Sequence, residues 1–230
     1  MNPDILALGF LQYVVFLLST TCHEAAHALV ARMGGDMTAA EGGQVSLSPW
    51  PHIRREPFGM VIMPLLGIIS QSGFVGWASA PYDPLWAMRH PKRAASMSLA
   101  GPAANFTLAL LAAAVMRAGL ALGWFSYGPL SPEHLVSAPP GTPVEGVAAA
   151  LSITFSLNIL LGCFNLLPFP PLDGYGVLGL FATENGARKL LEWRIRYRSF
   201  AIIGLILGWR LIDEIYFPML SAGLRLVYPR

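Results

Sequence analysis

His23, Glu24 and His27 stand in the pattern His-Glu-x-x-His, inside residues 5–31, where nearly every other side chain is Leu, Val, Phe, Ala or a small hydroxyl group. Residues four apart on a helix share one face about a turn from each other, so the two imidazoles can share one tetrahedral zinc ion. Glu24 follows the first histidine directly and reaches a water at the metal without being a ligand itself. Ionisable groups are expensive in an apolar run long enough to cross a bilayer, and they are functional by default. The plainer reading, two histidines bonding only to helix carbonyls, suits a soluble helix better than a membrane span.

The composition sets what must position these groups. Of the 230 residues 54% are hydrophobic and 12% are charged. Soluble domains carry about 25% charged residues, so the chain reads as a polytopic membrane protein in contact with the lipid bilayer. The formal net charge of +2 carries little information, because in such a chain the placement of Lys and Arg matters more than their sum. No basic stripe with interleaved aromatics is present, and no nucleic acid partner is expected. Cys22 and Cys163 sit in or beside apolar runs without a CxxC and read as small buried thiols. Asp4 stands where a signal peptide would carry positive charge, so the first segment is expected to remain as a membrane helix.

Apolar runs predict spans at roughly 5–32, 94–122, 147–167 and 200–220, in one integral membrane domain over 1–230. A further run at 58–73 contains Pro64 and Gly67, and turn formers fill the stretch after it, with basic residues on both flanks. Residues 58–88 are therefore expected either as a re-entrant segment or as a helix out and an extended return, lining a cavity beside the His-Glu-x-x-His helix. Weak alternation up to Gln44-Val45-Ser46-Leu47 predicts a small β hairpin or sheet at the membrane surface, ended by Ser48-Pro49-Trp50-Pro51. The proline-rich stretch 124–145 reads as an external loop. Arg188, Lys189, Arg194, Arg196 and Arg198 form the strongest basic cluster and are placed in the cytoplasm. His52, His90 and His134 read as ordinary surface residues. The fold class is thus all-α, a bundle of about four to six transmembrane helices with a small sheet and a re-entrant segment.

That topology brings two distant motifs to one depth. The first helix enters from outside and ends inside, and the 147–167 span also ends inside, just before the proline-rich run that closes on Leu172-Asp173-Gly174. Asp173 then lies near the leaflet that holds His23 and His27. Two imidazoles and one carboxylate leave a fourth zinc position open, the pattern of a catalytic site.

With these motifs together, the chain resembles the site-2 protease family of intramembrane zinc metalloproteases, as a short prokaryotic-type member without PDZ or CBS module. The resemblance is carried by His23-Glu24-x-x-His27, by Ala100-Gly101-Pro102-Ala103-Ala104-Asn105, and by the stretch from Asn165 to Gly174. Gly35-Asp36 with Thr38, residues 46–51 and Gly76-Trp77-Ala78 are weaker echoes. The resemblance implies one zinc ion per chain held by His23, His27 and Asp173, with Glu24 as general base. It makes Asn165 and Asn105 candidates to orient substrate or stabilise the oxyanion. The chain departs from the family at Tyr175, where a second glycine is common, and near Ser79, where lysine is common. Gly76, Trp77 and Ala78 are expected to form an extended edge that captures an unwound substrate by strand addition.

The function expected is a zinc-dependent endopeptidase acting in or near transmembrane segments of membrane-protein substrates. It is placed in a prokaryotic inner membrane with the active site towards the cytoplasm. The rival class is a non-proteolytic membrane protein that uses the same cavity for metal transport or client binding. A transporter would distribute ionisable groups along a path or show paired repeats; here they concentrate at one depth and no repeat is evident.

Overall fold

The computed structural model describes residues 3–70 and 76–228. In chain order it contains α1 (Pro3–Met33), α2 (Thr38–Glu41), α3 (Pro49–Arg55), a π-helical turn (Phe58–Ile62) running into α4 (Met63–Ser70), α5 (Pro84–Arg89) and α6 (Pro91–Ala121). A hairpin of β1 (Ser126–Ser131) and β2 (His134–Ser137) follows, then α7 (Pro143–Asn165), α8 (Asp173–Phe181), α9 (Glu184–Arg196) and α10 (Ala201–Val227). Local signals explain several starts. Pro49, Pro84, Pro91 and Pro143 each stand in the first helical turn, where a missing N–H costs nothing, and the Ser48, Asp83 and Thr183 side chains accept from the next turn's amides.

Among the described residues three helices are long and apolar enough to cross a membrane: Ile5–Met33 within α1, α6 and α7. α6 is the hub. It packs on α1, α7, α8 and α10, and its buried positions include Gly101, Ala109, Ala112 and Ala113. Small residues let neighbouring backbones approach where lipid offers no hydrophobic drive between helices. At Gly162 of α7 a Cβ would meet the Phe106 ring at 2.8 Å, so the α6–α7 contact depends on that glycine.

Three expectations from the sequence change. The hairpin is not at 36–47, where α2 and a series of bends stand instead, and Pro49–Arg55 is a helix capped by Ser48. The two-stranded antiparallel sheet lies in the stretch read as a loop, pairing Ser126 with Ser137 and Tyr127 with Val136. It is anchored on α7, because the amides of Leu135 and Val136 both donate to Ser152 Oγ. His52 is not a surface residue: it is 1% exposed and donates from Nε2 to Ser46 O at 3.1 Å, holding the bend before α3. His90 and His134 are exposed as expected.

The helical stretch from Phe58 to Ser70 reaches only about 20 Å at ~1.5 Å per residue, short of the ~30 Å hydrocarbon core. The end of the expected 58–73 run lies outside the described residues. Beyond it residues 76–83 form neither helix nor strand. Trp77 N bonds Gly59 O at 3.1 Å, and a Cβ on Gly59 would fall 2.3 Å from Trp77 O. The two backbones touch, and only glycine at 59 allows it.

α8, which begins with Asp173, is tied down on two sides. α10 approaches so closely that a Cβ on Gly204 would fall on Pro170 O, and Tyr175 Oη donates to Leu190 O of α9 at 3.3 Å.

Candidate metal centre

Two helices deliver three donors to one point. α1 supplies His23 and His27, one turn apart, and the loop after α7 ends by presenting Asp173 as the first residue of α8. Asp173 Oδ2 lies 3.1 Å from His23 Nε2 and 3.1 Å from His27 Nε2, and the two Nε2 atoms are 3.0 Å apart. Both histidines are buried, at 6% and 5% exposure.

The hydrogen bonds behind the rings decide what these atoms are. Asn158 Nδ2 donates to Thr154 O at 2.8 Å, and a backbone carbonyl can only accept, so the orientation of that amide is fixed. Asn158 Oδ1 therefore accepts from Asn105 Nδ2 at 2.8 Å. That turns Asn105 Oδ1 towards His23 Nδ1, 2.6 Å away, which must carry the proton. His27 Nδ1 faces Met97 O at 2.7 Å and must likewise donate. In neutral imidazoles both Nε2 atoms then bear lone pairs, and they face each other and a carboxylate oxygen. Three electron-rich atoms at 3.0–3.1 Å from one another repel unless a cation lies among them. The donor set, two nitrogens and one carboxylate oxygen, suits zinc with a position left open.

Space is shaped for this as well. A Cβ on Gly101 would lie 2.4 Å from both His23 Nε2 and His27 Nε2, so glycine there keeps the face of α6 clear of the donors. The polar network continues inward, since Asn158 Nδ2 also donates to Ser19 Oγ at 2.8 Å, and Asn105 and Asn158 are fully buried. Such outer partners fix the tautomer and orientation of ligating histidines.

Comparison with known proteins agrees with this geometry. Residues 11–207 match the family model described as Peptidase family M50. The chain belongs to peptidase family M50. It is 30% identical to the putative zinc metalloprotease YwhC of Bacillus subtilis over 94% of this chain and 89% of that protein. It is 30% identical to the putative zinc metalloprotease Rip2 of Mycobacterium tuberculosis over 83% of this chain and 63% of the relative. Against Rip2 of Mycolicibacterium smegmatis it is 31% identical over 89% and 69%. No solved structure matches it.

Within this M50 chain the other expected site residues fall into two groups. Glu24 is 5% exposed, and among the described residues it makes no hydrogen bond. Asn105 bonds His23 directly. Asn165, by contrast, donates to Leu161 O of its own helix at 3.0 Å, and among the described residues no hydrogen bond joins it to the donors. Gly76 lies against α1, where a Cβ would meet the Phe16 ring at 2.4 Å. Phe16 is seven residues before His23, so Gly76 lies over the same face of α1, two turns towards its N-terminus. Cys22 and Cys163 are free thiols, partly and fully buried respectively.

Asn158 and the close approach at Gly101 are missing from the sequence-based site. The signal for Asn158 was there in form: an amide in the middle of an apolar span needs a partner. Its partners, 53 and 139 residues away, were not visible.

Proposed function

We propose that this chain is a zinc-dependent endopeptidase that hydrolyses peptide bonds in or near transmembrane segments of other membrane proteins. What carries the reading is the convergence of His23 Nε2, His27 Nε2 and Asp173 Oδ2 with both Nδ1 protons committed elsewhere. One zinc ion per chain would be held by these three atoms, and when bound it supplies Lewis-acid polarisation of a carbonyl and acidification of a water. Glu24, next to the first ligand and buried, takes a proton from the attacking water and returns it to the leaving amine. Asn165 is assigned to the substrate rather than to the metal, because its side chain stands at the end of α7 outside the ligand network.

The extended segment gives the substrate a place to bind. Trp77 N and Ser79 O are turned to the chain itself, the first to Gly59 and the second to Gln44 and Arg55. Residues alternate along a strand, so Gly76, Ala78 and Ala80 present their backbone groups to the other side. Among the described residues the Ala78 and Ala80 amides make no hydrogen bond. An unwound substrate adding there as a strand would lie along the α1 face that leads to His23. In this reading Phe58 to Ser70 and the extended return form a re-entrant wall, α10 is a fourth span, and the zinc centre sits towards the cytoplasm of a prokaryotic inner membrane.

The test is cleavage in proteoliposomes of a panel of single-span membrane proteins whose spans carry helix-breaking residues. Wild type is expected to release fragments, and Glu24→Gln and chelated wild type are expected to release none. Fragments that persist in Glu24→Gln would remove Glu24 from the chemistry and with it this mechanism.

A further inference from the structure

α10 has a covered side and an uncovered one. Its covered stripe is Gly204, Gly208, Ile212, Tyr216 and Leu220, four residues apart, and the helix packs on α7 and α6. On the opposite side Ile203, Ile206, Arg210, Asp213, Glu214 and Phe217 are all exposed. Arg210, Asp213 and Glu214 stand at i, i+3 and i+4 and therefore form one patch. Among the described residues none of the three makes an ion pair or a hydrogen bond.

The patch does not lie beyond the membrane. Trp209 meets Phe164 of α7 edge to face with ring centroids 6.0 Å apart, and a Cβ on Gly223 would meet Phe155 at 2.8 Å. The stretch between these contacts therefore runs beside the second half of α7, itself one of the three apolar spans. Three ionisable side chains directed at lipid from that depth are expensive, and such groups ordinarily face protein.

We propose that this face is the contact between two copies of the chain, α10 against α10. A bilayer holds both copies in one orientation, so a two-fold axis runs along the membrane normal and the helices lie parallel. A contact of this kind is made twice, with the same patch on both sides. Each Arg210 meets the partner's Asp213 and the partner's Glu214. The offset of three to four residues is about 4.5–6 Å along the axis, a span that the long arginine side chain covers. The five N–H donors of one guanidinium serve two carboxylates. Ile203, Ile206 and Phe217 pack above and below the charged layer.

Neither alternative satisfies all three groups. An anionic lipid headgroup complements Arg210 and repels the carboxylates beside it. Within one helix Arg210 precedes both carboxylates, the weaker order for such pairs, and among the described residues it pairs with neither. The inference uses α10 as a membrane span and does not depend on what the zinc centre cleaves.

The test is association rather than activity. Two differently tagged copies are co-expressed, extracted with their lipid into polymer-bounded discs, and captured by one tag. Wild type is expected to bring down wild type. Arg210→Glu with itself, and Glu214→Arg with itself, should lose at least tenfold of that recovery, whereas Arg210→Glu co-expressed with Glu214→Arg should regain most of it. A variant that fails to fold cannot be rescued by an equally altered partner, so the mixed pair separates lost complementarity from lost structure. If wild type captures no second copy, or the mixed pair recovers no better than either variant alone, the contact is not α10 against α10.

Discussion

His23 Nδ1 lies 2.6 Å from Asn105 Oδ1, and this bond determines which ring nitrogen faces the metal position. Replacing Asn105 by Ala frees the imidazole to take the other tautomer and leaves Asn158 Oδ1 without its donor. Loss of an outer partner of this kind typically costs about 10–100-fold in metal affinity. Zinc competition against a chelator of known affinity should show that loss for Asn105→Ala, and a smaller one for Asn158→Ala, which acts one bond further out.

Gly101 makes a sharper prediction. A Cβ there would stand 2.4 Å from both Nε2 atoms, well inside contact distance. Gly101→Ala should abolish metal binding or displace α6 from α1, while Gly146→Ala, at a glycine with open space around it, should change neither. Metal content per purified chain, with circular dichroism to follow the helices, reads both outcomes.

Asp36 ties the end of α1 to the approach to α5. Its Oδ1 accepts from Thr38 N and Thr38 Oγ1, and its Oδ2 accepts from Asp83 N. Burial by itself would raise the carboxyl, but these hydrogen bonds outweigh it and hold the group below its ordinary value of 3.8. The folded state therefore favours the charged form. Its contribution is complete above the ordinary value and is lost as pH falls through the lowered one. Asp36→Asn should cost about 1–3 kcal/mol at neutral pH. The difference in thermal stability between variant and wild type should be constant from neutral pH down to about 5 and shrink below about 4.

Much of the scaffold was legible because its signals are one-dimensional. α1, α6 and α7 are apolar runs of membrane length, whereas Pro49, which opens α3, was read as part of the end of a hairpin. His23, His27 and Asp173 were legible through spacing and through the depth that charge placement assigned them. The hairpin was not. Four alternating residues ending at Leu47 carry too little period to outweigh the tertiary contacts that bend them, where Gln44 Nε2 reaches Ser79 O and His52 holds Ser46 O. The real strands lie among prolines and are held by Ser152 of α7, a contact no local pattern encodes. The amide relay from Ser19 through Asn158 and Asn105 to His23 was hidden for the same reason.

In the proposed enzyme His23, His27 and Asp173 hold one zinc ion that Glu24 works beside without ligating. Zinc per chain, measured by mass spectrometry on protein purified in lipid, tests it most directly. Wild type and Glu24→Gln should each carry about one zinc, whereas His27→Ala and Asp173→Ala should carry almost none. Wild type that neither carries nor takes up zinc, or Asp173→Ala that keeps a full complement, would overturn this ligand set.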